Sequence, residues 1–268
     1  MIRALGAIGL AGLLGLGAEG WAGPMGAADA AVTAPTAVPD PGNPPYDGRF
    51  AFVRLRYGPH DTDLAGRFLG GRRRNDPMWS HDLPRADVNF LRIMQELTAV
   101  PTAPDYHLVL DADDPELFRY PVAYIVEVGY WVPTDAEVRN LRTWLLKGGF
   151  LIVDDFRGDH WANFEAQMRR VLPELSFKPL EGAEPIFDSF FHIPDPYALA
   201  PPYERQLIPI YFGMYEKNDP ERRLMVIADY NQDLAEYWEF SDYGYYPIDL
   251  SNESYKFGVN YVLYGLTH

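Results

Sequence analysis

Two short runs constrain the fold of this chain more than anything else in it. Residues 122–128 (Val-Ala-Tyr-Ile-Val-Glu-Val) and residues 150–154 (Phe-Leu-Ile-Val-Asp) are apolar almost without a break. A strand that faces water on one side alternates polar and apolar residues, whereas a strand covered on both faces does not. Between the two runs, Thr134-Asp-Ala-Glu137 spells a capping box, in which side chains satisfy the first free amides of a helix. Val138, Leu141 and Leu145 share one face of that helix, and Gly148-Gly149 supply a left-handed stop. Strand, helix and strand in this order predict an α/β fold: an open, mostly parallel sheet with helices on both faces.

The flanking sequence continues the alternation. Residues 50–57 read as a strand, and residues 58–80 as a loop with Gly70, Gly71 and the basic run Arg72-Arg73-Arg74. Asp82-Leu83-Pro84 opens a helix, with Asp82 as cap and Phe90, Leu91, Met94 and Leu97 as its apolar stripe. Residues 106–110 form a short strand before an acidic turn. Residues 161–172 form a third helix with Phe164, Met168 and Val171 inward. Residues 186–193, 207–212 and 224–230 are strand-like, and Ser251 caps a final helix carrying Phe257, Tyr261 and Tyr264.

The first thirty residues read as a processing signal. Arg3 gives a short positive start, residues 4–18 are apolar, and Gly20-Trp21-Ala22 and Ala28-Asp29-Ala30 are cleavage contexts. The apolar run falls short of the roughly 20 residues that span a bilayer. Residues 1–30 are therefore expected to be a cleaved signal peptide, with no transmembrane span after cleavage and a periplasmic or secreted product. Gly15-Leu-Gly-Ala-Glu-Gly20 spells a dinucleotide fingerprint, but it lacks the strand and helix that give the motif meaning. Residues 31–48 hold Pro35, Pro39, Pro41, Pro44 and Pro45 and read as a linker. Residues 49–268 are expected to form a single α/β domain.

Composition removes several classes of function. There is no cysteine, which excludes thiol nucleophiles, cysteine-ligated zinc and iron–sulfur clusters. A net charge of −15 argues against nucleic acid as a partner. No Walker A, G-x-S-x-G or H-E-x-x-H pattern occurs. No cofactor and no metal are expected.

What stands out is charge where a buried sheet should have none. Arg54 and Arg56 lie on one face of the first strand, Glu127 interrupts the third, and Asp154 and Asp155 end the fourth. The carboxyl ends of parallel strands share one edge, where open α/β folds bind ligands. Arg54, Arg56, Glu127, Asp154, Asp155 and Arg157 are accordingly the candidate ligand-binding residues, with Arg56, Glu127 and Asp155 expected in one polar cluster. The alternative is an ion-pair network that only holds the sheet edge. Adjacent Asp154 and Asp155 point to opposite sides of a strand, so one of them faces any given site. Asp155, Asp159 and His160 are candidates for acid–base catalysis or metal ligation, against a bland role as turn and cap residues. Trp79-Ser80-His81-Asp82 looks like a functional loop, but Asp82 already has a capping role.

Residues 50–57, Trp79…Asp82-Leu-Pro84, Leu117-Phe-Arg-Tyr-Pro121 and Gly148-Gly-Phe-Leu-Ile-Val-Asp-Asp155, with the tail Trp238…Tyr246-Pro247…Gly258-Val-Asn260, resemble a bacterial family known as domain of unknown function 4159. The resemblance covers about residues 49–268. It implies a flavodoxin-like scaffold similar to class I glutamine amidotransferases. It also implies partners among von Willebrand A-type envelope proteins and a MoxR-type ATPase system. Those amidotransferases carry a cysteine on the turn after a strand; here that turn holds Asp154, Asp155 and Phe156, so glutaminase activity by thiolate is excluded. The expected function is a non-catalytic, ligand- or partner-binding accessory protein of the cell envelope. The alternative is a hydrolase acting on glycans through an Asp/His acid–base or metal site.

Overall fold

A computed structural model describes residues 43–58, 77–103 and 107–268. The expected signal peptide, most of the linker and the run Arg72–Arg74 lie outside the described residues. The strands are β1 (Val53–Arg56), β2 (Leu108–Asp111), β3 (Val122–Val126), β4 (Phe150–Phe156), β5 (Lys178–Pro179), β6 (Ile210–Tyr215) and β7 (Leu224–Tyr230). They form one sheet in the order β2-β1-β3-β4-β7-β6-β5. β1, β2, β3, β4 and β7 pair in parallel, while β6 runs antiparallel to both β7 and β5. The fold is thus α/β with a mostly parallel, mixed sheet.

Both faces of the sheet are covered, as the apolar runs require. The helices are α1 (Arg85–Leu97), α2 (Asp135–Leu146), α3 (His160–Val171), α4 (Leu234–Glu239) and α5 (Ile248–Thr267). Phe52, Tyr124 and Ile152 point to one face and meet Phe90, Trp238 and Tyr261 from α1, α4 and α5. Val53, Ile125 and Leu151 point to the other and meet Leu141, Trp144, Phe164 and Met168 from α2 and α3. Among the described residues no helix is long and apolar enough to cross a membrane.

Local signals set several boundaries. The capping box at α2 forms: Thr134 Oγ1 accepts from the Glu137 amide at 3.2 Å, and Glu137 Oε2 accepts from the Thr134 amide at 2.6 Å. Gly148 follows α2 at φ 119°. Four expectations need correction. Residues 186–193 make no strand: Pro185–Asp188 is a 3-10 turn, and the Phe190 and Phe191 amides donate to Asn260 Oδ1 instead of a sheet ladder. Leu97 ends α1 on its exposed side. Asp82 does not cap α1, which begins after Pro84 without a side-chain cap. Ser251 lies inside α5, whose first turn already starts at Ile248, and its amide donates back to the Pro247 carbonyl.

Candidate functional site

The parallel strands end in a shared backbone device. Glu127, just past β3, has φ 51°, Asp155 in β4 has φ 50°, and Asn231, just past β7, has φ 61°. Left-handed backbone costs a residue with a Cβ roughly 1–2 kcal/mol, so the surroundings must hold it. They do: the Glu127 amide donates to the Asp155 carbonyl at 3.1 Å, and the Asn231 amide to the Phe156 carbonyl at 2.9 Å. Tyr57 Oη donates to the Val126 and Glu127 carbonyls at 3.0 and 2.7 Å. The β4–β7 register shifts between Val153 and Phe156. The result turns the Asp155 side chain away from Asp154 and toward Glu127.

A third residue completes this group from the loop before α1. His81 Nδ1 lies 3.1 Å from Glu127 Oε1 and 3.5 Å from Asp155 Oδ2. Glu127 is 8% exposed and Asp155 4%. His160, at the start of α3, brings Nδ1 to 3.6 Å from Glu127 Oε2, and its ring packs edge-on to Tyr130. Gly129 makes room for that ring, since a Cβ there would sit 2.3 Å from it. Arg54 fixes the loop, donating from Nη1 to the His81 carbonyl at 2.9 Å.

Further carboxylates crowd the same edge. Donor atoms of His81, Glu127 and Asp155 lie within 4.8 Å of one another, as do those of Asp82, Asp155 and Asp233, and those of Asp82, Glu236 and Glu239. Asp155 and Asp82 are the shared members, so the three groups are contiguous. Asp233 caps α4 by accepting from the Glu236 amide at 2.9 Å, and Glu236 Oε1 accepts from Tyr246 Oη at 2.9 Å. Asp82, at φ 63°, contributes its carboxylate to this group and not to a helix cap.

Burial disfavours the charged form of the carboxyls here. Burial and the neighbouring Asp155 raise the Glu127 carboxyl, against the pull of His81. Burial, then Asp155 and Glu236, push Asp82 well up, and burial with Asp155 and Asp82 does the same to Asp233. Burial alone would depress His81, yet its hydrogen bonds to Asp155 and Glu127 outweigh that and lift it to about 10. His81 therefore faces carboxyl groups whose own charged form burial disfavours. Among the described residues Asp82 Oδ2, Glu127 Oε2 and His160 Nδ1 are buried without a hydrogen-bond partner. An arrangement of this kind can hold a cation, or pass a proton between imidazole and carboxylate.

The other candidates fall into different roles. Asp154 faces away from Asp155, as adjacent strand residues do: its Oδ2 accepts from Tyr124 Oη and from the Leu234 and Ala235 amides. Burial pushes it up to about 6, against the Tyr124 hydroxyl that holds it down. It anchors the start of α4. Arg54 is fully buried and pairs with Asp87 on α1 at 2.5 and 3.2 Å. Arg56 pairs with Asp111, its register partner on β2, through two contacts of 2.7 Å. The nearer carboxylate on the adjacent strand takes it. Arg157 pairs at the surface with Glu204, and Asp159 is exposed at the start of α3 with no capping bond. A cavity of about 600 Å³ opens at the opposite edge, lined by Tyr46, Phe50, Tyr120 and Leu263, and none of the candidates borders it.

Asp233 and Glu236 were not among the residues singled out from the sequence, and the His81-Asp82 loop was noted there but set aside for a capping role. Asp233-Leu-Ala-Glu236 has the spacing of a helix start, which was readable. His81 offered only its place beside Asp82. In comparison with known families, the family model described as Domain of unknown function (DUF4159) matches residues 51–266. Comparison with curated proteins finds no match.

Proposed function

The chain belongs to the DUF4159 family over residues 51–266, and on that premise we propose that it is a non-catalytic binding domain whose ligand or partner presents positive charge to the carboxyl edge of the sheet. The observation that carries this reading is the crowding of carboxyl groups there: Asp82, Glu127, Asp155, Asp233 and Glu236 in contiguous groups that meet His81. A buried charge without a partner is expensive for the fold alone, and a cationic ligand would offset that cost. We read the protein further as an exported accessory component of the cell envelope, periplasmic or secreted. The order of charged, apolar and small residues in residues 1–30 supports export. Von Willebrand A-type proteins and a MoxR-type ATPase system, implied by the family resemblance, are the partners proposed, met through a basic surface. The scaffold is read as amidotransferase-like on the family resemblance, with Asp154, Asp155 and Phe156 in the segment compared to the one that carries the thiol in such enzymes. Without any cysteine it is no thiolate-dependent glutaminase.

One observation favours a second reading, a hydrolase acting on glycans. His160 Nδ1 is unpartnered beside Glu127, and Tyr245, exposed at 71%, stacks edge-on to the Tyr246 that contacts Glu236. Asp155 and His160 would serve as acid and base there; Asp159 would not, being outside the group.

The test is capture of the full chain from its native envelope, with mass spectrometry of small molecules and proteins that stay bound. A ligand or partner carrying an exposed basic group should be retained by wild type and lost with Asp82→Asn/Glu236→Gln. Retention that ignores both substitutions, or no retained species at all, contradicts the reading. Turnover of a glycan that disappears with His160→Gln would favour the hydrolase.

A further inference from the structure

We propose that His81, Glu127 and Asp155 hold one divalent transition-metal ion of the zinc or manganese class. The inference rests on the reading of the carboxyl edge as a cation site and narrows its ligand to a bare ion.

Spacing is the first argument. One nitrogen and two carboxylates place donor atoms within 4.8 Å of one another. Two donors that share an ion at about 2.0–2.6 Å each are at most about 5 Å apart, so the group matches a common centre.

A second, independent observation is the unsatisfied oxygen. Glu127 is 8% exposed, and its Oε2 has no hydrogen-bond partner among the described residues. His160, the nearest base, stops at 3.6 Å, beyond hydrogen-bond range. Buried carboxylate oxygens are otherwise almost always satisfied, and an ion would satisfy this one.

The donor set selects the metal. Magnesium and calcium take oxygen ligands, whereas imidazole with carboxylates suits zinc and manganese. Three protein donors leave at least one position open on a four-coordinate ion. The donors also sit on rigid supports. Tyr57 holds the Glu127 backbone, the Glu127 amide ties to Asp155, and buried Arg54, itself clamped by Asp87, holds the His81 carbonyl. Asp82 and Asp233, which lie with Asp155 in the adjoining group, place further carboxyl oxygens beside the site.

The experiment is calorimetric titration of the full, untagged chain, stripped with chelator and dialysed, with zinc chloride and separately with manganese chloride. Wild type should bind one ion per chain. At a hundredfold excess over Kd its melting temperature should rise by roughly 5–10 °C. Glu127→Gln and Asp155→Asn should each weaken binding by at least about 100-fold, beyond the usual loss for a residue that only supports a ligand. Asp159→Asn, outside the group, should bind as wild type does. If Asp155→Asn does not fold, Glu127→Gln and His81→Gln decide the matter. No binding of either ion by wild type, or binding unchanged in every donor variant, overturns the proposal. If metal fails while the chain still retains an organic cation or a basic partner in chelator, only this inference falls. If those fail as well, the reading of the edge as a cation site falls with it.

Discussion

Arg54–Asp87 and His81–Glu127–Asp155 lie side by side at the end of β1, and both bury charge, yet they handle it in opposite ways. The first is balanced. Both side chains are 0% exposed, the contact is two-pronged, and the remaining guanidinium donor goes to the His81 carbonyl. The Tyr124 ring covers its open side at 4.9 Å. The second group crowds its carboxyls, with left-handed backbone at Asp82, Glu127 and Asp155 and with Asp82 Oδ2 and Glu127 Oε2 lacking hydrogen-bond partners among the described residues. Charge that serves only the fold is neutralised and its hydrogen bonds are completed. The balanced pair, through Arg54, holds the His81 carbonyl beside the second group.

The largest effect expected from this contrast is on stability. Asp87→Ala would strand Arg54 in the core and should cost about 3–5 kcal/mol, the range for breaking a buried pair. Urea unfolding measures it; a loss under about 1 kcal/mol would erase the distinction between the two regions.

Next comes pH. The Asp154 carboxyl titrates at about 6 in the fold against an ordinary 3.8. A raised carboxyl means the native state binds that proton more tightly, so stability falls as pH rises from 3.8 to about 6. The raised His81 imidazole acts at higher pH, its contribution full below 6.5 and lost as pH climbs through about 10. In metal-free protein, Asp154→Asn keeps acceptors for the Leu234 and Ala235 amides and should flatten the acidic limb by an amount of order 1–3 kcal/mol. An unchanged limb would show that Asp154 does not carry it.

The smallest effect belongs to Arg56. Its pair with Asp111 is about one-third exposed on each side. Arg56→Met should therefore cost no more than about 1 kcal/mol and leave ion binding at Glu127 and Asp155 untouched. A weakened ion affinity in this variant would return Arg56 to the site.

Much of the scaffold was legible in the sequence because its signals are local. The apolar runs gave β3 and β4, the Thr134–Glu137 box gave the start of α2, and residues 224–230 matched β7. Glu127 and Asp155 were legible as charges at strand ends that a sheet covered on both faces should lack. What escaped depends on contacts far apart in sequence. Arg54 found Asp87 on a helix, and Arg56 found Asp111 by strand register, neither of which a one-dimensional pattern displays. His81 was passed over because Asp82 resembled a helix cap; Asp82 is instead left-handed and lies with its carboxylate in the acidic group. Residues 186–193 had the composition of a strand but reach the core from a turn that Asn260 secures.

The most direct measurement compares thermal melts of wild type and Asp82→Asn in chelator, from about pH 5 to about pH 9. Asparagine tolerates the φ of 63° at this position, and Oδ2 has no hydrogen bond among the described residues to lose. If the acidic edge is held against repulsion for a cation, the variant should melt higher by about 2–5 °C, and the gain should grow with pH as the neighbouring carboxylates ionise. If the edge is instead a balanced structural network, Asp82→Asn will melt lower at every pH, and a cation site there is contradicted.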